Sequence, residues 1–271
     1  MKEKIELIII DPQNDFCDPK GSLFVPGADD DMKRIADLIN RAGDRYNDIH
    51  ATLDSHHFLD VAHPIFWINS KGENPDPFTI IEHEDVENGK WRTFLPQYRA
   101  YGISYTKSLK DNGRYPLCIW PPHCLIGSWG FTVYPVLYEA LLNWEKRNPG
   151  SYVNFLTKGS NMLTEHYSAV KADVPDPDDP TTEMNFDFID PLKEADQLDL
   201  SGEALSHCLA NTVMDIAEGF GDDSYIKKFN LLEGASSNVP TFEFLGEKFV
   251  KDMTSRGMKT TPIENYEVNL V

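Results

Sequence analysis

Near its start the sequence has the stretch Ile5-Glu6-Leu7-Ile8-Ile9-Ile10, followed by Asp11-Pro12, and this stretch gives the first indication of the fold. Its nearly unbroken apolar run is typical of a central parallel strand that is covered on both faces. Residues 29–45 then show helical spacing, and residues 50–53 are typical of a second strand that ends at Asp54. A strand, a helix and a strand in this order predict a right-handed βαβ unit.

The same alternation continues along the chain. The later predicted elements are a helix over 135–144, a strand over 152–156, a strand ending over 197–200, a helix over 209–220, a strand over 225–232, a helix over 242–256 and an edge strand over 258–263. This pattern predicts an α/β fold, a doubly wound, Rossmann-like parallel sheet with helices on both faces. We expect one domain over residues 1–271, with long loop insertions at about 64–115 and 170–195; the first is polar and has no long periodic segment.

The composition excludes several classes of function. The 271 residues carry a formal charge of −19, which would repel phosphate backbones and anionic membrane surfaces. Because of this charge, we expect no nucleic acid as a partner. There is also no run of about 18 apolar residues, so we expect no membrane as a partner either. The four cysteines lack the dense spacing of a secreted disulfide scaffold, and we expect free thiols and a cytoplasmic protein. A neutral or cationic small molecule suits this charge best.

Polar residues stand where four of the predicted strands end: Asp11, Asp54, Lys158 and Cys208. Ligands bind outside the carboxyl ends of the strands in such a sheet. A carboxylate that accepts a proton, an ammonium group and a thiol make Asp11, Lys158 and Cys208 a candidate acyl-transfer site. Because Cys208 precedes a predicted helix, we expect the helix N–H groups to lower the pKa of its thiol. For Cys208 taken alone, a buried and inert cysteine is the alternative.

A second cluster has the composition of a metal site. It consists of Asp54 and His56, one residue apart, and of His123 on a proline-rich turn. Two histidines and one carboxylate that leave coordination positions open suit Zn, Fe or Mn. His57 and His63 are candidate additional ligands, and His63 is the better one. For the Asp-x-His pair alone, simple hydrogen bonding is the alternative.

Together these motifs resemble the isochorismatase-like cysteine hydrolases and, within them, the nicotinamidases, which are also called pyrazinamidases. The matching motifs occur in the order of that family: Asp11-Pro12-Gln13-Asn14-Asp15-Phe16, Gly21-Ser22-Leu23, Val25-Pro26-Gly27-Ala28, Asp54-Ser55-His56, Trp120-Pro121-Pro122-His123-Cys124, Lys158-Gly159 and Gly202 to Cys208. The combination is far more specific than any single motif.

The resemblance implies roles for these residues. Asp11, Lys158 and Cys208 correspond to the catalytic triad of the family. Asp54, His56 and His123 correspond to its metal ligands, which implies one divalent metal ion. Zinc is the first choice for this ion, and iron and manganese are the alternatives.

The resemblance also implies features of the substrate pocket. The peptide bond between Glu203 and Ala204 is expected to be cis, and the backbone N–H groups of Ala204 and Cys208 are expected to form an oxyanion hole. Phe16, Trp120 and Tyr167 correspond to the aromatic residues around the pyridine ring. Most members carry Asp where this chain has Ser206, which leaves the shape of the ring pocket open.

The implied activity is the hydrolysis of nicotinamide to nicotinic acid and ammonia through a thioester, in a homo-oligomeric enzyme. Two alternatives stay open from the sequence. One is a hydrolase of the same fold that acts on another small amide or a ureido compound, with a pocket reshaped by the insertions. The other is a catalytically silent member that binds a small molecule or a protein.

Overall fold

The computed structural model describes residues 3–266, and within them strands alternate with helices. The strands are β1 (Ile5–Ile10), β2 (Asp48–Asp54), β3 (Trp67–Ile68), β4 (Ile80–Ile81), β5 (Arg92–Thr93), β6 (Leu117–Cys118), β7 (Asn154–Lys158), β8 (Gln197–Gly202), β9 (Phe229–Glu233) and β10 (Lys259–Pro262). The α-helices are α1 (Asn14–Cys17), α2 (Ala28–Ala42), α3 (His83–Glu87), α4 (Arg99–Asp111), α5 (Pro135–Arg147), α6 (Phe186–Leu192), α7 (Ala210–Phe220) and α8 (Glu243–Arg256).

Six strands form a central sheet in the order β10-β9-β8-β1-β2-β7, and every neighbouring pair is parallel. All six residues of β1 are buried, as its apolar run predicts. The order extends in one direction from β1 to β7 and in the other from β8 to β10. Right-handed connections therefore place α2 and α5 on one face and α7 and α8 on the other. The predicted doubly wound α/β fold is confirmed.

Two predicted strands begin later than expected. The segment predicted as a strand from residue 225 is instead a 3₁₀ helix over Asp223–Lys228, and β9 begins at Phe229. The Asp222 side chain accepts a hydrogen bond from the Ser224 N–H and so starts this helix. The strand predicted from Tyr152 begins at Asn154, where pairing with β2 starts, and the N–H of the preceding Val153 donates to the Glu145 side chain instead of to a strand.

The expectation that residues 64–115 contain no long periodic segment is wrong. Helix α4 occupies 13 residues of this stretch. Its buried residues are Gly102, Tyr105, Thr106 and Leu109, which do follow helical spacing. Three of the four are small, polar or amphipathic, so a search for apolar periodicity does not detect them.

The two proposed insertions contain most of the short elements. The first carries two small antiparallel pairs, β3 with β5 and β4 with β6, besides α3 and α4. The second carries α6. The division into one domain with two insertions stays a prediction. In the part of the chain that the structure describes, no helix has the length and apolar character needed to span a membrane.

Candidate active site

The carboxyl ends of four adjacent strands, β8, β1, β2 and β7, meet at one edge of the sheet. Asp11 follows the last residue of β1, and Asp54 and Lys158 are the last residues of β2 and β7, where they pair in register. Cys208 lies beyond β8, in a π-helical turn over Leu205–Leu209 that leads into α7. The structure therefore brings these four residues together, as the strand ends predict.

The ammonium group of Lys158 lies at the centre of this cluster. Its Nζ is 2.9 Å from Asp11 Oδ2 and 2.9 Å from Asp54 Oδ1. It also donates a hydrogen bond of 2.8 Å to the carbonyl oxygen of His166 and lies 3.6 Å from Cys208 Sγ. Burial alone would lower the pKa of Lys158, but the two carboxylates outweigh burial and hold it well above its ordinary value. The amine is therefore charged.

Asp11 is positioned to carry a proton. Its backbone N–H donates to Thr52 Oγ1 at 2.9 Å, and the Thr52 hydroxyl donates to Asp11 Oδ1 at 2.5 Å. Complete burial raises the pKa of Asp11, and the attraction of Lys158 offsets this only in part. A carboxyl whose pKa is raised holds a proton more readily than an exposed aspartate does, which suits proton transfer to and from a neighbouring group.

The expected lowering of the Cys208 pKa is wrong. Burial raises the pKa of Cys208 well above its ordinary value; Lys158 opposes this, whereas Asp11 and Asp54 add to it. Burial is the largest cause, and the carboxyl groups of Asp11 and Asp54, from two other strand ends, act in the same direction. The resting group is thus a thiol, and a thiolate requires proton transfer to a neighbour.

Asp54, His56 and His123 form the predicted metal-ligand cluster. One ligand atom from each lies within 4.8 Å of the others. Asp54 Oδ2 is 3.0 Å from His56 Nε2 and 3.3 Å from His123 Nε2. The other ring nitrogen of each histidine also has a hydrogen-bond partner: His56 Nδ1 lies 2.9 Å from Asp60 Oδ2, and His123 Nδ1 lies 2.9 Å from the Pro121 oxygen. Such outer partners orient metal-binding imidazoles.

The Asp54 carboxylate is prepared for a cation. The Gln13 amide holds the Asp54 backbone from both sides, donating to its oxygen at 2.7 Å and accepting from its N–H at 2.6 Å. Burial tends to raise the pKa of Asp54, but His56 and Lys158 hold it well below its ordinary value. The Asp54 carboxyl group is therefore ionised at neutral pH.

His63 lies beside this cluster, and its role as an additional ligand stays a prediction. Its Nε2 is buried and has no hydrogen-bond partner among residues 3–266, while its ring lies 5.2 Å from the His56 ring and 5.6 Å from the His123 ring. Burial lowers the pKa of His63 to about 4, so the imidazole is neutral and can donate an electron pair. His57 is exposed and lies outside the cluster.

The predicted ring-binding residues line the cavity next to Cys208. Trp120 Nε1 donates to the Tyr167 hydroxyl at 3.1 Å, and the Phe16 ring lies 5.3 Å from the His123 ring. The cavity has a volume of about 30 Å³ and is lined by Phe16, Leu23, Val25, Asp54, Trp120, His123, Glu165, Tyr167, Ala204, His207, Cys208 and Val239. Cys208 and two of the three cluster residues, Asp54 and His123, thus line one small, mostly apolar cavity.

The turn that carries Ala204 and Cys208 is held by its neighbours. The peptide bond between Glu203 and Ala204 is cis, as the resemblance predicts. The Leu205 N–H donates to the Ser237 oxygen at 2.8 Å, and Ser206 Oγ accepts from the Val239 N–H at 3.1 Å. Ser206 therefore has a structural partner here instead of facing the substrate space.

Sequence reasoning missed Gln13, Asp60 and Glu165. The spacing of Asp60, four residues after His56, is a signal that could have identified it. Glu165 stands seven residues after Lys158 in an irregular segment and has no such signal. Burial, with Asp60 and Asp54 adding and His56 and Lys158 opposing, raises the pKa of Glu165 to about 8.

His166 and His207, which sequence reasoning could not pair, are both buried beside the site. Burial, helped by Lys158, lowers the pKa of His166 to about 4, and burial lowers that of His207 to about 3. Both imidazoles are therefore neutral at physiological pH. His166 serves the site through its backbone oxygen, which accepts from Lys158.

Comparisons with known proteins find nicotinamidases that are similar to this chain. The chain is 25% identical to the nicotinamidase of Saccharomyces cerevisiae over 217 residues, which cover 78% of this chain and 81% of that protein. It is 26% identical to the nicotinamidase of Escherichia coli over 212 residues, which cover 77% of this chain and 74% of that protein. No family model matches the chain. The predicted resemblance to the nicotinamidases is confirmed.

Solved structures share the fold. The yeast nicotinamidase aligns with a TM-score of 0.64 and 20% identity, covering 95% of this chain and 99% of that chain. A pyrazinamidase from Pyrococcus horikoshii, solved in complex with zinc, aligns with a TM-score of 0.55 and 19% identity, covering 96% of this chain and 99% of that chain. Likeness at this level of identity establishes the fold.

Proposed function

We propose that the protein is a metal-dependent cysteine amidohydrolase that converts nicotinamide to nicotinic acid and ammonia. The observation that carries this proposal is the convergence of Asp11, Lys158 and Cys208 on one cavity, with the Asp54, His56 and His123 cluster in its wall. The two nicotinamidase relatives support nicotinamide as the substrate.

The first half of the reaction forms a thioester. Cys208 Sγ attacks the carboxamide carbon while its proton passes to Asp11; both groups lie beside the Lys158 ammonium, with Sγ 3.6 Å and Asp11 Oδ2 2.9 Å from its Nζ. The backbone N–H groups of Ala204 and Cys208 hold the developing oxyanion. Asp11 then gives the proton to the amide nitrogen, the carbon–nitrogen bond breaks, and ammonia leaves.

The second half consumes a water molecule. The water oxygen bonds to the thioester carbon and one of its protons passes to Asp11, which is ionised again after ammonia has left. The carbon–sulfur bond breaks with its electron pair on Sγ, and Asp11 returns the proton to sulfur. Lys158 stays charged throughout and stabilises the ionised state of Asp11 in this buried site.

Asp54, His56 and His123, with His63 as a fourth ligand, would hold one divalent cation. The fit rests on the convergent ligand atoms and on the buried, unpartnered Nε2 of His63. A cation there supplies Lewis acidity, which orients and polarises a substrate that carries an electron-pair donor. Zinc is the first ion to examine, because the Pyrococcus protein was solved with zinc; elemental analysis separates it from iron and manganese.

Phe16, Trp120 and Tyr167 are proposed to enclose the pyridine ring. The cavity between them holds one or two water molecules rather than a ring, so side chains at its mouth must move on binding. A homo-oligomeric state and a cytoplasmic location remain predictions, which light scattering and fractionation of cells test.

The direct test is to incubate the purified protein with nicotinamide and to follow both ammonia and nicotinic acid. Cys208→Ala should abolish both products. Cys118→Ala is the matched control, because Cys118 is also buried but lies in β6, outside the cavity. Equal activity of Cys208→Ala and the wild type would contradict the proposal, and so would the absence of turnover by the metal-loaded wild type.

A further inference from the structure

Glu165 is a buried carboxyl group that the mechanism above does not use. It is 4% exposed and lines the same cavity as Cys208, Asp54 and His123. One of its oxygens, Oε2, is buried without a hydrogen-bond partner within residues 3–266. A polar atom left in this state costs on the order of 1–3 kcal/mol, so a role for it is expected.

The direction of the Glu165 side chain is fixed by its surroundings. Its Oε1 accepts a hydrogen bond of 2.8 Å from the His166 N–H. Its backbone N–H donates to the Tyr105 hydroxyl at 3.0 Å, and its backbone oxygen accepts from the Asp173 N–H at 2.9 Å. The Oε1 atom is thus engaged, and Oε2 is the carboxyl oxygen without a partner within residues 3–266, on a side chain that lines the cavity.

The same dipeptide also braces the catalytic lysine, because the His166 oxygen accepts from Lys158 Nζ. Glu165 and His166 thus connect Lys158, which lies beside Asp11 and Cys208, to the wall of the cavity. A water molecule held at Oε2 would lie in the space that contains both Cys208 and the metal cluster. That space is where the thioester must be attacked.

We propose that Glu165 Oε2 accepts a hydrogen bond from the water that hydrolyses the Cys208 thioester and so orients the water's lone pair toward the carbonyl carbon. This inference rests on the proposed function, and the bonds made and broken are those of the second half-reaction above. Asp11 remains the proton acceptor. A carboxyl oxygen can accept in either protonation state, so the role does not depend on the charge of Glu165.

Glu165→Gln tests this inference. The amide keeps an oxygen for the His166 N–H and places an NH₂ group where Oε2 was; an NH₂ group only donates. The thioester should still form, but its hydrolysis should slow by about 10- to 100-fold, the loss typical of an outer residue that orients a reacting group. Rapid-quench measurements should then show a burst of ammonia ahead of nicotinic acid, and mass spectrometry should find the acyl-enzyme.

Hydroxylamine provides a second readout. It attacks thioesters without the help of an oriented water, so it should restore turnover of Glu165→Gln and yield the hydroxamate. Asp173→Asn is the matched control, since it alters another buried carboxyl of the same segment that does not line the cavity. This control should accumulate no acyl-enzyme, whatever its stability.

The outcomes separate this inference from the proposed function. A wild type that releases no ammonia from nicotinamide contradicts the function itself. A functional wild type, together with a folded Glu165→Gln variant that slows both half-reactions equally and is not rescued by hydroxylamine, overturns the role of Glu165. Circular dichroism and thermal melting establish that the variant is folded.

Discussion

Replacing Lys158 by methionine removes the only cation within reach of Asp11 among the described residues and keeps most of the side-chain volume. The side chain of Lys158 is 1% exposed and lies 2.9 Å from a carboxylate oxygen on each of two strands. Asp11 then retains the hydroxyl of Thr52 as a hydrogen-bond partner but has no cation beside it among the described residues. We therefore expect Lys158→Met to destabilise the fold as well as to abolish activity.

The expected loss of stability follows from the burial of Lys158 and Asp11. Breaking a buried ion pair by removing one partner costs roughly 3–5 kcal/mol, because the other charge is left uncompensated. If the Asp11 carboxylate carries much of this cost, Asp11→Asn should recover part of it in the double variant. The coupling between the two substitutions should be about 1–3 kcal/mol, as for other groups in direct contact.

Urea denaturation followed by circular dichroism measures these differences. All proteins should first be treated with a chelator, so that a cation at Asp54 does not replace the lost ammonium group. Lys107→Met is the matched control, because the Lys107 pair with Asp111 is exposed and should contribute little. If Lys158→Met lowered the free energy of unfolding by less than about 1 kcal/mol, or if its effect and that of Asp11→Asn were strictly additive, the buried ion pair would not have the proposed role in stability.

Three further predictions concern metal binding, pH and the ring pocket. Asp60→Asn should weaken the binding of a divalent cation about 10- to 100-fold in a calorimetric titration, because Asp60 orients His56; unchanged affinity would exclude this role. Burial and then Asp31 raise the pKa of Glu203 above its ordinary 4.5, so this group stabilises the fold at low pH and its contribution is lost as pH rises above the ordinary value toward the raised one. The melting temperature of Glu203→Gln should therefore rise relative to that of the wild type as pH increases above about 4.5, and a difference that does not vary with pH would contradict this. Trp120→Ala should raise KM for nicotinamide about 3- to 10-fold through lost stacking, whereas Tyr167→Phe, which keeps the ring, should do so less; an effect on kcat alone would argue against ring contact.

The strand ends could be predicted from the sequence because each is marked by a change of residue type. The apolar run of β1 stops at Asp11, and comparable changes occur at Asp54 and Lys158. Once a parallel sheet is assumed, these positions must lie at one edge. The metal cluster could be predicted for a similar reason, since Asp54 and His56 are separated by one residue and only His123 comes from a distant turn.

Other features depend on contacts that no local pattern contains. The pKa of Cys208 is governed by burial and by carboxyl groups from two other strands, whereas the sequence argument considered only the following helix. The position of Glu165 depends on the Tyr105 hydroxyl, which belongs to α4, a helix whose buried face was too polar to be recognised. Tertiary contacts of this kind decide where an irregular segment places its side chains.

The proposed function requires that nicotinamide is hydrolysed through a thioester on Cys208. The most direct measurement is to quench the reaction of metal-loaded protein and nicotinamide with acid within milliseconds and to map the product by mass spectrometry of the peptides. We predict a nicotinoyl group on the peptide that contains Cys208, absent from the Cys208→Ala variant and lost on further incubation as nicotinic acid appears. The thioester on Cys208 would be contradicted if nicotinic acid were released in the pre-steady state while no acylated Cys208 peptide appeared at any time, in the wild type or in Glu165→Gln.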